Sequence, residues 1–540
     1  MKIWFLSWEG DALGGKDTEE GRRKHSAVDG LVGTLEWLIV AFATTLVFIV
    51  FEMQAYTIPT GSMAETLRGA HFGLRCPQCA YRYDYDFLPQ YYGLGRNATP
   101  GVNVDVRPPG TRCPSCGYRS DSGKRRPVLK GDRIFVVKCL YQFAEPKRWD
   151  VVVFKNPLNP QENYIKRLIA LPGETVEIVD GDIYIDDRIA RKPRRVQEEL
   201  WMCVYDNDYQ PVNPLAGNFK SAGGVWRQPF VNAGDSKWNL RADGPTVFSL
   251  DGAADEVHTL VYDTRTGNDF KATYAYDDAR FHPAMPLCSD LMVRFDVRAA
   301  DSSATAGAVL SKYGLEYRGR VDFAGMMRIE KVLADGSAEE LAVRAIDIDP
   351  DEGAKRLRFA NADHVLVLEF GDERLECDLG DGRDDAGAPR AVMPAVRVFG
   401  SGELKLWHVG IFRDMHYINF KIGADGRKAG MLRAAEGSPF RLNDDEFFVM
   451  GDNTPASLDC RWWDRPGSAN AGRTYRMGTV PRDYLVGKAF FVYWPGPYKP
   501  FNDTAIARTM ERNRGTRLLK MLLNVPDVDG IKFLDGGSDD

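Results

Sequence analysis

The longest unbroken apolar run of the chain spans residues 31–51, where Glu36 is the single charge. At about 1.5 Å per residue a helix of this length reaches roughly 30 Å, the thickness of a bilayer's hydrocarbon core. Removable export signals have apolar cores of only about 7–15 residues, and a buried core helix would show polar breaks, so a retained anchor over 31–52 is expected. Lys16, Arg22, Arg23 and Lys24 precede the run, and no Lys or Arg follows it until Arg68. By the positive-inside rule, residues 1–30 are cytoplasmic and everything after the span is extracytoplasmic. No second segment approaches spanning length, so a single-pass protein of the cell membrane is expected.

Beyond the run the pattern changes to short alternating segments. Strands are expected at 133–138, 150–155, 164–171, 175–179 and 183–185, the last two joined by Asp180-Gly181, a hairpin signal. From 201 to 415 the alternation is stronger. Leu291, Val293, Phe295 and Val297 fall on one face, and 326–333, 364–370, 374–379 and 404–410 behave alike. Many short strands with Asp/Gly turns and no helical periodicity predict a β-sandwich. The fold class is therefore mainly β, after one N-terminal helix. Residues 501–540 form a tail with a basic, partly amphipathic stretch at 505–523.

Composition alters this picture little. The 540 residues are 44% hydrophobic and 27% charged, ordinary globular material with no disorder signature. A net charge of −6 points to no nucleic acid partner.

The candidate chemistry begins just past the apolar run, at Ile58-Pro59-Thr60-Gly61-Ser62-Met63. A serine hydroxyl is a poor nucleophile until a neighbouring base takes its proton. The chain has seven His and none sits in a triad motif, so a lysine is the natural base. It can serve only if desolvation lowers its pKa toward neutrality. Lys166, in the segment 164–171, shares a strand face with Tyr164, Leu168 and Ala170, whereas Arg167 points the other way.

Three further motifs accompany the serine turn. They are Gly131-Asp132-Arg133-Ile134-Phe135-Val136-Val137-Lys138, then Tyr164-Ile165-Lys166-Arg167 through Pro172-Gly173-Glu174, and Met450-Gly451-Asp452-Asn453 with Ser457-Leu458-Asp459-Cys460-Arg461. Together and in this order they resemble the bacterial-type signal peptidase I family of Ser/Lys membrane proteases. The resemblance covers roughly 30–75, 127–200 and 440–500, and it assigns 53–75, 127–200 and 440–500 to the catalytic core. It implies Ser62 as nucleophile, Lys166 as general base, and the Ser62 N–H with the Thr60 hydroxyl as oxyanion donors. It further implies that Ser457 orients the lysine, that Asp459 and Arg461 form a supporting ion pair, and that Gly451, Asp452 and Asn453 shape the adjacent turn. Thr60 and Cys460 stand where the family commonly has serine. No cofactor is implied for catalysis. The implied substrates are signal-peptide-bearing preproteins cut after Ala-X-Ala sites at the membrane surface, with the bilayer and the export machinery as partners.

Two insertions lie outside the resemblance. Residues 76–126 carry Cys76-x-x-Cys79 and Cys113-x-x-Cys116, the spacing of a zinc ribbon, although disulfides are a real alternative outside the cytoplasm. Either role is structural, since four thiolates leave no open coordination position. Residues 201–415 are similar in strand texture to concanavalin- and laminin-G-type sandwiches, and are expected to be dispensable for chemistry but not for substrate choice. Two other readings remain: a self-cleaving repressor-type Ser/Lys protease, disfavoured by the anchor, and a membrane-tethered binding protein whose protease core is vestigial.

Overall fold

The computed structural model describes residues 32–45, 53–93, 105–121, 125–241, 244–277, 279–349, 353–381, 392–422, 427–468, 474–496, 531–534 and 536. The flanking basic residues of 1–30 and the tail stretch 505–523 lie outside them. The chain divides into two units, residues 1–54 and 55–540. In the first, residues 32–45 are helical, and Trp37, Leu38, Ile39 and Phe42 are exposed. Among the described residues no helix is long and apolar enough to cross a membrane, because the rest of the expected 31–52 span lies outside them.

The second unit is built from antiparallel β-sheets. One holds, in spatial order, Arg133–Val137, Leu485–Trp494, Val151–Asn156, Asn159–Ala170, Glu446–Met450 and Val480–Pro481. Its central strands are valine-rich and buried on both faces: Val151, Val152 and Phe154 are wholly inaccessible, as are Phe447, Phe448, Val449 and Met450. A smaller sheet orders Arg188–Ile189, Asp182–Ile185, Thr175–Val179 and Phe440–Arg441. Its first hairpin turns at Asp180 and Gly181 with φ of 46° and 94°. Two successive positive φ values make the type I′ turn that matches strand twist, and glycine fits the second position without strain.

Residues 202–413 form the sandwich. One sheet runs Met202–Asp206, Glu403–Arg413, Leu291–Ala299, Lys355–Ala362, Val365–Phe370 and Glu373–Asp378. The other runs Phe230–Asn232, His258–Tyr262, Val396–Ser401, Thr305–Lys312, Leu315–Asp322, Met326–Val332 and Ala338–Ala345. Leu291, Val293, Phe295 and Val297 all turn inward and join Ala306, Ala308, Leu310, Phe359 and Leu368 in one core. The alternation seen in the sequence is thus the burial pattern itself.

Packing crosses the boundary expected at 201 and 415. Tyr274, Tyr276 and Met415 belong to the same buried cluster as Trp149, Phe154, Leu168 and Met450 of the catalytic sheet. A buried ionic junction ties the two parts together as well. Lys192 pairs with Asp363 at 2.5 Å and Asp414 at 2.9 Å, and Lys312 pairs with Asp290 and, at 3.6 Å, with Asp182. Such pairs cost desolvation and stabilise only when every member is satisfied, so the junction fixes geometry more than it adds stability.

Candidate active site

The serine turn follows strand Met53–Thr57 and is held on both sides. Ile58 N–H donates to the Asp132 carbonyl at 2.8 Å, and Ala64 N–H to the Gly61 carbonyl at 3.0 Å. The Asp132 carboxylate accepts the Arg68 and Gly496 N–H groups, each at 2.8 Å. The Gly131-Asp132 pair of the sequence is therefore a clamp on the backbone around Ser62.

Lys166 enters from the centre of strand Asn159–Ala170, paired opposite Val152. Its Nζ lies 2.6 Å from Ser62 Oγ and donates to the Ile165 carbonyl at 2.8 Å. The Tyr164 ring is 5.6 Å away. Lys166 is 3% exposed, and burial lowers its pKa to about 8 against the upward pull of Asp459 and Asp452. An amine whose pKa burial brings toward neutrality, in contact with a hydroxyl, can in its neutral form remove that hydroxyl's proton.

Behind the pair lie two fork-on-fork ion pairs with no solvent access. Arg461 donates from Nε and an Nη to Asp459 at 2.9 and 2.7 Å. Asp459 also accepts the Gly451 N–H at 3.0 Å, and Arg461 holds the Ile418 carbonyl at 2.8 Å. The second pair was not legible from the motifs. Arg167 donates twice to Asp452, both at 2.8 Å, and once to the Trp149 carbonyl at 3.0 Å. Arg167 does point away from Lys166, but into this buried pair rather than toward solvent.

The turn at 451–453 touches the serine directly. Asn453 N–H donates to the Ser62 carbonyl at 3.1 Å. A Cβ on Gly451 would stand 2.3 Å from that same oxygen and 2.2 Å from Ser457 Oγ, so only glycine fits. Ser457 is buried here, yet its hydroxyl makes no hydrogen bond, and the bond to Lys166 expected of it is absent. Thr60 is exposed beside Ser62.

Sequence reasoning missed the contribution of the sandwich. Asn453 Nδ2 donates to Asp277 Oδ1 at 2.7 Å, and Asp86 N–H donates to the Tyr276 carbonyl at 2.9 Å. The Tyr276 ring occupies the space a Cβ on Gly61 would need, 2.1 Å from it. Residues of the segment 274–277 thus pack on the serine turn from behind. The string Tyr274-Ala275-Tyr276-Asp277 carries no periodic signature that could have announced these contacts.

The four cysteines meet as their spacing predicts. Cys76 and Cys116 Sγ are 3.6 Å apart, as are those of Cys79 and Cys113, and all four sulfurs lie within 4.8 Å of one another. A disulfide needs about 2.05 Å, whereas thiolates at about 2.3 Å around a tetrahedral ion are roughly 3.8 Å apart. The donor set fits zinc.

A sequence profile described as signal peptidase, peptidase S26, matches residues 117–214 and 419–494. The signal peptidase I of Rickettsia canadensis (strain McKiel) is 30% identical over 156 residues, which is 28% of this chain and 43% of that protein. That of Aquifex aeolicus (strain VF5) is 52% identical over 50 residues, 9% of this chain and 20% of that protein. Over these segments the chain is similar to the signal peptidase S26 family. It spans less than half the length of the curated relatives it matches. Among solved structures, a Bacillus subtilis protein of unknown function with a galectin-like fold is 9% identical with a TM-score of 0.25, covering 40% of this chain and 98% of that one. A carbohydrate binding module, CBM66, also from Bacillus subtilis, is 14% identical with a TM-score of 0.21, covering 37% of this chain and 97% of that one. At such scores neither likeness bears on fold or ligand.

Proposed function

We propose that this protein is a membrane-anchored serine endopeptidase that removes N-terminal signal peptides from exported preproteins, cutting after Ala-X-Ala sites. The observation that carries the reading is the 2.6 Å approach of the buried Lys166 Nζ to Ser62 Oγ. Ser62 Oγ attacks the scissile carbonyl carbon while its proton passes to Lys166 Nζ. The resulting oxyanion is received by the Ser62 N–H and the Thr60 hydroxyl. Collapse breaks the C–N bond, and the Lys166 ammonium returns its proton to the departing amine. A water, deprotonated by the same lysine, then attacks the acyl carbon; the ester C–O bond to Ser62 breaks and the Lys166 ammonium returns the proton to Ser62 Oγ. Asp459–Arg461 and Arg167–Asp452 keep the walls of the pocket in place, and Gly451–Asn453 fixes the Ser62 carbonyl. The apolar span 31–52 serves as a single-pass anchor, with residues 1–30 cytoplasmic and the catalytic unit outside. The experiment is incubation of purified protein with a preprotein carrying an Ala-X-Ala site. Wild type cuts after the second alanine and Ser62→Ala does not; equal cutting by both would reject the reading.

The pH dependence follows from the lysine. Its neutral form is the base, so activity rises about tenfold per pH unit below about 8 and levels off above about 9. A pH–rate profile of kcat/KM on a short peptide checks this. An inflection near the ordinary lysine value of about 10.4 would contradict it.

Zinc in the Cys76, Cys79, Cys113, Cys116 site belongs to the same proposal as a structural ion. Metal analysis of purified protein is expected to return about one equivalent, lost on replacing Cys76 and Cys113 together. Metal-free protein with mapped disulfides at these positions would exclude it.

A further inference from the structure

At the buried ionic junction four carboxyls face two lysine ammoniums. Asp182 and Lys192 come from the small sheet and the chain just after it, and Asp290, Lys312, Asp363 and Asp414 come from the sandwich and its exit. An oxygen from each of Asp182, Asp290 and Asp363 lies within 4.8 Å of the other two, and none of the three residues is more than 7% exposed. An ammonium already fills the position a metal ion would take: Lys312 Nζ donates to Asp290 and stands 3.6 Å from Asp182.

Asp182 is the odd member. Asp290 accepts the Asp363 N–H at 3.0 Å as well as the Lys312 ammonium. Asp363 accepts the Lys192 N–H at 3.0 Å and the Lys192 ammonium at 2.5 Å. Asp414 accepts the Met415 N–H at 2.6 Å and the Gln197 amide at 2.7 Å. Among the described residues no donor comes within hydrogen-bond distance of the Asp182 carboxyl; Lys312 Nζ stands at 3.6 Å and His364 Nε2 at 4.0 Å.

The other polar groups around it are engaged or neutral. His416, packed on the Gly181 turn, is neutral because burial and the Arg413 charge lower its pKa to about 3. Arg413 gives its N–H groups to the Asp414 and Thr273 carbonyls, and the Tyr313 hydroxyl donates to Asp180. A buried carboxylate with no donor, beside two others, is destabilised, and the neutral acid is favoured. Burial, with Asp290 beside it, sets the Asp182 carboxyl well above the ordinary range. Burial also raises Asp414 to about 6, whereas Asp290, despite burial, is held down by Lys312.

We propose that Asp182 is a proton-dependent latch between the catalytic core and the sandwich, tight while its carboxyl is neutral and weakened when it ionises against Asp290 and Asp363. The sandwich carries Tyr276 and Asp277 to the serine turn, so the latch bears on the surface that supports Ser62. A carboxyl whose pKa folding raises stabilises the folded form below its unfolded value of about 3.9, and that contribution is lost as pH rises through the folded value.

The test is hydrogen exchange of the hairpin 175–185 in the full chain, read by mass spectrometry from about pH 5 to about pH 9, with wild type beside Asp182→Asn. The amide keeps the shape of the neutral acid and cannot ionise, and comparison at one pH cancels the intrinsic pH dependence of exchange. Wild-type protection, relative to the variant, is expected to fall about tenfold per pH unit from about pH 5 until Asp182 has ionised, since each opening then releases one proton. Asp182→Ser, a second neutral variant, is expected to share the slope of Asp182→Asn. His364→Asn, whose asparagine tolerates the positive φ of 57° at that position, is expected to retain the wild-type fall. A protection ratio independent of pH, a wild-type slope in Asp182→Ser, or a fall that disappears in His364→Asn would overturn the proposal. No cleavage is measured, so the outcome is independent of the proteolytic reading.

Discussion

Lys166→Ala lowers kcat on an Ala-X-Ala peptide by on the order of 10³-fold or more, and combining it with Ser62→Ala adds almost nothing. The two groups act as one unit, because a hydroxyl without a base and a base without a hydroxyl are equally inert. Lys166→Met is the stricter form of the experiment. It keeps an unbranched side chain in a pocket with 3% exposure, so packing survives and only the amine is lost. Lys166→Arg also fails, since a guanidinium stays protonated at any working pH and is larger than the space. The measurement is steady-state kinetics beside a melting curve. Activity within tenfold of wild type in Lys166→Met would mean another group takes the proton.

The second large effect concerns the sandwich. Asp277→Ala removes the acceptor for the buried Asn453 amide, which costs about 1–3 kcal/mol and loosens the turn whose N–H holds the Ser62 carbonyl. A fall of about tenfold or more in kcat with KM little changed is expected, with Asp277→Asn restoring most of it because an amide oxygen can still accept. Tyr276→Ala is more severe, since it empties the space behind Gly61, and aromatic truncations in a core cost about 3–5 kcal/mol. Replacing 201–415 with a short linker is accordingly expected to abolish cleavage even of a short peptide. That reverses the division of labour expected from the motifs alone. A folded deletion variant with full peptidase activity would restore it.

Why the motifs carried no sign of the sandwich's contacts with the serine turn is a matter of range. Its strands were legible because burial alternates with the pleat: Leu291, Val293, Phe295 and Val297 are all at or near zero exposure. The hairpin at Asp180-Gly181 was legible because its backbone demands are local. The approach of Lys166 to Ser62 spans 104 residues, and it was reached through the resemblance to a known family, with the need for a desolvated base in support. Asp277 and Asn453 are 176 residues apart, and Arg167 and Asp452 are 285 apart. Neither contact leaves a periodic trace, and a buried Asp or Arg looks like a surface one until its partner is seen. The same limit applies to Ser457, which packs beside Gly451 while its hydroxyl stands without the expected bond to the lysine.

The most direct measurement of the central claim is capture of the acyl intermediate. An Ala-X-Ala peptide ester, whose good leaving group makes deacylation the slow step, is mixed with the protein, and the reaction is quenched in acid during the first turnover, digested and mapped by mass spectrometry. The account predicts one acyl group per protein on the peptide containing Ser62, and none in Lys166→Met. Turnover without an adduct, or an adduct on any other residue, would contradict it.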